Sequence, residues 1–143
     1  MNSRHGFTLI ELMVVILIIS IIAAIAIPNL LRSRMSANDA TGASSMRTIS
    51  SGQVSYQAAG VDATTSGIGK YGTLTSLGSG ITPFIDTSLA SGIKAGYQFQ
   101  TTPTLDGGTV PRFTATGLPA VQDKTGFRTF FVDESGVIRF EGG

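Results

Sequence analysis

The chain has 143 residues, ten Lys and Arg against nine Asp and Glu for a formal charge of +1, and no cysteine. That length carries one domain of moderate size, and the near-neutral balance excludes a global field that would recruit nucleic acid or an acidic partner. The absence of cysteine excludes a disulfide framework, a thiolate metal site and a lipidated N-terminal cysteine.

Taken in chain order, Met1 to Gly6 form a short polar leader, and Phe7 to Ile27 form an apolar run of 21 residues interrupted by a carboxylate at Glu11. At ~1.5 Å per residue a helix of that length covers about 31 Å, the hydrocarbon thickness of a bilayer. Apolar residues occur on every face, without the 3.6-residue alternation of a surface helix, so the segment needs lipid or other apolar helices around it. A plain membrane anchor explains the length but not Glu11, since a carboxylate costs roughly 2.5 to 3.5 kcal/mol at the centre of a span and less near its end. An ordinary signal peptide explains the small residues Ala24-Ile25-Ala26. It fits neither the length of the run nor an acid near its start. That alternative implies a secreted, monomeric binding domain beginning at Ile27.

The leader ending in Gly6, followed by Phe7-Thr8-Leu9-Ile10-Glu11-Leu12-Met13-Val14-Val15, resembles the N-terminus of the type IV pilins and the type II secretion pseudopilins. The resemblance runs from Gly6 to about Tyr56. It implies cleavage after Gly6 by a membrane-embedded prepilin peptidase, N-methylation of Phe7, a hallmark assembly role for Glu11, and a helix that partly unwinds at Pro28 inside a filament. The implied partners are further copies of the chain in a helical homopolymer, the peptidase, an inner-membrane platform protein and an assembly ATPase. The implied location is the bacterial inner membrane, as a single-pass precursor with its head extracytoplasmic, and then a pilus or a periplasmic pseudopilus.

Elementary chemistry gives these positions work of their own. Gly6 has no side chain to crowd a protease cleft. Cleavage there creates a charged α-amine at Phe7, one helical turn from Glu11 and open to pairing with it or with a neighbour's carboxylate. A buried charge left unpaired is strongly disfavoured, so such pairing selects register. Pro28 lacks an amide donor and crowds the carbonyl of Ala24, which predicts a kink. Orientation rests on the resemblance, because Arg4 and His5 on one side of the span are answered by Arg32 and Arg34 on the other.

Residues 28–59 read as a helical continuation that becomes amphipathic. Leu31, Met35, Met46, Ile49 and Tyr56 form a stripe interrupted by Asn38, Asp39 and Gly42, and the many serines leave such a helix dependent on packing. Arg32, Arg34 and Arg47 read as solvated charge or as ion-pairing groups between subunits. Residues 60–143 read as a head. Gly60 to Gly80 is a Ser/Thr/Gly-rich surface connector, and its Gly69-Lys70 fails as a phosphate loop because Thr64 and Tyr71 occupy positions that need Gly and Ser or Thr. Pro83 to Gly92 holds one short helix stopped by Gly92. Four antiparallel strands are expected at Tyr97–Thr101, Arg112–Thr116, Thr129–Val132 and Val137–Phe140, the last two joined across Asp133-Glu134-Ser135-Gly136. Nine of the eleven aromatic residues follow Lys70, so they are available to pack the sheet onto the helix. The loops around Asp106-Gly107-Gly108 and from Pro119 to Gly126 are expected at an exposed, partner-facing edge. The predicted class is thus α+β, a long N-terminal helix packed by its second half on a small antiparallel sheet.

No enzyme, cofactor or metal is implied. His5 is the one histidine and departs with the leader, which excludes serine triads and the usual zinc sites. Asp133-Glu134 is the densest acidic pair and reads as a hairpin turn. Calcium would require Asp123, Asp133 and Glu134 to converge. The calcium loop of the major pseudopilins and the C-terminal disulfide loop of many pilins both lack a counterpart here, so pilus and pseudopilus remain alternatives.

Overall fold

A computed structural model of the chain describes residues 6–62, 67, 69–107 and 110–142. Its element order is helix α1 (Leu9–Ala59), helices α2 (Leu74–Gly78) and α3 (Thr87–Ala90), then strands β1 (Ile93–Lys94), β2 (Tyr97–Asp106), β3 (Val110–Pro119), β4 (Thr129–Asp133) and β5 (Arg139–Glu141). The architecture is α+β. The chain divides into two compact units, residues 1–34 and residues 35–143.

The first unit is helical from Leu9 onward, and its large apolar side chains stay exposed, from Leu9 and Ile10 through Ile25 and Ile27. The membrane-length window of the helix is 0% buried. The helix continues without interruption through Pro28. Ser20, the hydroxyl within the apolar run, donates to the carbonyl oxygen of Ile16 at 2.7 Å, so its polar group is satisfied within the helix.

In the second unit the sheet is a five-stranded antiparallel meander in the order β1-β2-β3-β4-β5. The first two residues of β2 pair with β1, whereas all ten pair with β3, from Tyr97 opposite Pro119 to Asp106 opposite Val110. Phe99 donates its amide to the carbonyl of Gly92, away from β3. Antiparallel alternation therefore turns the Pro103 nitrogen toward the open edge of β2, where a missing donor breaks no ladder bond and blunts edge-to-edge pairing. Met46, Ile49 and Tyr56 of α1 pack with Tyr97, Phe99, Phe113, Phe130 and Val132 of the sheet and with Leu74, Leu77, Ile85 and Leu89 of the intervening segment.

The helix face that meets this core is Met35, Asp39, Gly42, Ser45, Met46, Ile49, Gly52, Gln53 and Tyr56. Those spacings of three and four mark one side of a helix. The expected stripe is corrected at two points. Leu31 is exposed, and Asp39 and Gly42, which looked like interruptions, belong to the buried face. A Cβ on Gly42 would lie 2.9 Å from Phe130 Cε2, and one on Gly52 would lie 2.8 Å from Ile85 Cγ2. At both positions the lack of a side chain lets the head approach the helix.

Five strands replace the four expected, because the two-residue β1 is too short to show alternation. The connector from Gly60 to Gly80 is not loop throughout: it contains α2, capped by Thr73 and burying Leu74 and Leu77. Thr64, Thr65 and Ser66 lie outside the described residues, as does Gly108. The short helix expected before Gly92 is α3, capped by Asp86, whose carboxylate accepts the Leu89 amide at 2.9 Å.

Candidate functional site

Residues 1–5, including Arg4 and His5 of the expected leader, lie outside the described residues. From Gly6 the backbone is non-helical through Thr8, and the helix begins at Leu9. Thr8 ends the non-helical stretch by capping: its hydroxyl oxygen accepts the Glu11 amide at 3.3 Å, and its carbonyl accepts the Leu12 amide at 3.3 Å. Thr8-Leu9-Ile10-Glu11 has the Thr-x-x-Glu spacing of a capping box, a signal that hydropathy alone misses. A carboxylate in the first turn also complements the exposed amides at the positive end of the helix dipole. Glu11 thus has a local structural reason for its position before any partner is considered.

The neighbouring positions lack such reasons. A Cβ on Gly6 would meet nothing within 4 Å. The chain's own fold therefore leaves room for a side chain there. Phe7 is 80% exposed, an aromatic ring with no cover from the rest of its unit. Pro28 lies inside α1 and removes one donor from its ladder. The structure thus places Gly6 and Phe7 on a short non-helical segment leading into a capped helix, with Glu11 in its first turn.

In the head, Asp39 holds the loop between β3 and β4. Its Oδ1 accepts the Tyr97 hydroxyl at 2.6 Å and the Phe127 amide at 3.0 Å, while Asn38 Nδ2 donates to the Thr125 carbonyl at 2.8 Å. Residues 121–124 of that loop are exposed as expected, but Gly126 is buried against the clasp, where a Cβ would come within 2.7 Å of Asp39 Oδ1. The Tyr97 hydroxyl lies 2.8 Å from the Arg128 carbonyl as well, so one phenolic proton faces two acceptors. Burial, then the hydrogen bond to Asp39 and its charge, push the phenol well above its ordinary value.

The acidic pair in the β4–β5 turn is divided between two cations. Arg139 Nη1 lies 2.6 Å from Asp133 Oδ2, and Arg112 Nη1 lies 2.6 Å from Glu134 Oε1. The Ser135 hydroxyl and amide also donate to Asp133 Oδ1, and with Arg139 they hold its carboxyl down at about 2. The turn closes with the Gly136 amide on the Asp133 carbonyl at 3.0 Å, with Gly136 at φ 71°. Among the described residues no group of three or more His, Cys, Asp or Glu side chains converges as metal ligands would, so Asp123, Asp133 and Glu134 do not form one site. A groove of about 440 Å³ beside Asp39, Ala40, Ala43 and Phe130 is open and carries no such cluster.

Comparison with known proteins points to the N-terminal segment. Residues 1–27 match the family model described as the prokaryotic N-terminal methylation motif. The type IV wide pilus major component PilA4 of Thermus thermophilus is 62% identical over 39 residues, which cover 27% of this chain and 30% of that relative. The match thus spans less than a third of the relative's length. No solved structure matches the chain. The chain thus joins an N-terminal methylation motif, similar to the matched segment of a type IV pilus component, to an α+β architecture of one long, exposed apolar helix and a small antiparallel sheet.

Proposed function

We propose that this chain is a structural subunit of a type IV pilus-like filament, cut after Gly6 by a prepilin peptidase, N-methylated at Phe7 and polymerised through its N-terminal helix. The observation that carries the reading is the pairing of a bilayer-length apolar helix, uncovered in its own chain, with an acid one turn from Phe7. Such a surface requires cover, first from lipid and then from the helices of other copies. Gly6 supports the same reading, because the fold gives it no internal reason to be glycine. An outside reader of the backbone, such as a protease cleft, supplies one.

After cleavage, Phe7 bears a cationic amine and Glu11 an anionic carboxylate in or near an apolar phase. Bringing them together, within one chain or between neighbours, lowers the cost of burying both. Pro28 weakens the helix where the apolar run ends, so α1 can adjust there when subunits pack. The precursor is stored in the inner membrane with its head extracytoplasmic, and a platform protein and an assembly ATPase supply the work of extraction. The description of the Thermus relative as a pilus component favours a pilus over a secretion pseudopilus.

N-terminal sequencing and intact mass of the chain recovered from membranes test the processing. A mature chain beginning with methylated Phe7 is expected, and one beginning at Ile27 overturns the reading. Electron microscopy of a deletion strain, with a secretion assay in parallel, tests the assembly: surface filaments should be lost and secretion retained.

A further inference from the structure

Arg32 and Arg34 follow the apolar run closely, in the same helical unit, and both are exposed. Among the described residues neither takes part in an ion pair; the paired cations are Lys94, Arg112 and Arg139. No acidic residue occurs between Glu11 and Asp39 in the sequence, and Asp39 Oδ1 is taken by Tyr97 and Phe127. Two guanidinium groups therefore stand just outside a membrane-length helix with no carboxylate of their own.

Their positions along and around the helix say what they meet. Because α1 is unbroken from Leu9 through these residues, their Cα atoms lie five and seven residues beyond Ile27, about 7.5 and 10.5 Å along the axis. The polar layer outside each face of the hydrocarbon is roughly 5 to 7 Å deep. Helix side chains tilt toward the helix N-terminus, which is the membrane side, so long arginines reach back into that layer. Around the axis, two residues correspond to about 200°, so the two side chains leave opposite faces of the helix. A protein surface on one side would engage one of them. A ring of lipid headgroups surrounds the helix and engages both. Leu30 and Leu31 beside them, 55% and 53% exposed, suit the boundary between acyl chains and headgroups.

We infer that Arg32 and Arg34 form a two-sided collar for anionic phospholipid headgroups, which fixes the depth of the precursor in the outer leaflet before assembly. The inference rests on the proposed membrane storage of the subunit. It also accounts for two cations on the side of a span where the positive-inside rule disfavours them. Each guanidinium offers a planar fork to phosphate oxygens, and extraction into a filament must release both.

The test uses the full chain in phosphatidylcholine vesicles containing a trace of spin-labelled phosphatidylglycerol or spin-labelled phosphatidylcholine, with the motionally restricted fraction read by electron paramagnetic resonance. The wild type should select phosphatidylglycerol, by about fivefold for each arginine at low salt, with the preference falling as salt rises. R32Q and R34Q should each lose part of the preference, and the double variant should lose all of it. R47Q, which removes a helical cation twenty residues beyond Ile27, should leave it unchanged. Equal selection by wild type and double variant overturns the collar. So does a preference carried entirely by one arginine, the sign of a one-sided contact. Failure of the wild type to insert into any vesicle overturns both the collar and the membrane storage on which it rests, and is distinguishable from insertion without selection.

Discussion

Gln53 of the long helix and Gly72 of the connector make a reciprocal pair: Gln53 Nε2 donates to the Gly72 carbonyl at 2.6 Å, and the Gly72 amide donates to Gln53 Oε1 at 2.9 Å. Gln53 is 0% exposed, so no water replaces a lost partner. The Gly72 carbonyl keeps a second donor in the Thr101 hydroxyl at 3.4 Å, whereas its amide has no substitute. Gln53→Leu should therefore destabilise the head by about 1 to 3 kcal/mol, the range for a buried donor left unpaired. Exposed Ser51→Ala should stay within about 0.5 kcal/mol. Denaturant unfolding of the full chain in detergent micelles, followed by near-ultraviolet circular dichroism, measures the difference.

The clasp between Tyr97 and Asp39 gives the head a pH dependence. The raised Tyr97 phenol favours the protonated form in the folded state, so its contribution to stability is complete below the ordinary phenol value of 10. It is lost as pH climbs from there toward the folded value, because the unfolded chain releases the proton first. Wild type should lose stability above about pH 10, and Tyr97→Phe should be less stable at neutral pH yet show a shallower alkaline decline. Melting temperatures between pH 8 and 11 read both effects. A Tyr97→Phe profile parallel to the wild type refutes the assignment.

Much of this molecule is legible from sequence, and the exceptions share a cause. The apolar run from Phe7 to Ile27 announces itself by length, and β2 by the alternation of Tyr97, Phe99 and Thr101, buried, with Gln98 and Gln100, exposed. Hydropathy fails where packing requires a missing or polar side chain. Gly42 and Gly52 receive Phe130 and Ile85, Asp39 anchors the loop between β3 and β4, and Gln53 replaces a backbone partner. Each looks like a break in the stripe because its value depends on residues 30 or more positions away, or on an amide that no periodicity describes. At the N-terminus the Thr8-x-x-Glu11 box was readable, yet the charge of Glu11 draws attention to partners outside the chain and away from its own helix start.

The turn between β1 and β2 carries strain that can be relieved. Lys94 pairs with Tyr97, so Ala95 and Gly96 form a two-residue loop, with φ of 49° and 75°. Two positive φ angles define the turn type that suits the twist of a hairpin and favours Asn-Gly. Ala95 is exposed and tolerates the left-handed region poorly, since its Cβ crowds the following carbonyl. Ala95→Asn should raise stability by about 0.5 to 1 kcal/mol, and Ala95→Val should lower it by at least as much, the β-branched side chain fitting that region least. Thermal unfolding of the two variants beside wild type gives the sign directly.

One substitution separates the place of Glu11 at the helix start from its proposed role in assembly. Glu11→Gln keeps the length of the side chain and the Thr8 cap, whose hydrogen bond is to the Glu11 backbone amide. Helix start, insertion and cleavage after Gly6 should therefore proceed nearly as in wild type. What the variant lacks is the charge proposed to neutralise the Phe7 amine, and an uncompensated buried charge costs about 3 to 5 kcal/mol. Filament yield should then fall by roughly two orders of magnitude or more while processed subunit accumulates in the membrane. Immunoblots resolving precursor from mature chain, with filament counts by electron microscopy, separate the outcomes. Loss of processing would make Glu11 a determinant of peptidase recognition, and normal filament counts would remove the carboxylate from assembly. Thr8→Val supplies the converse. It removes the capping hydroxyl and leaves the charge, so it should cost about 1 kcal/mol of helix start without the assembly defect.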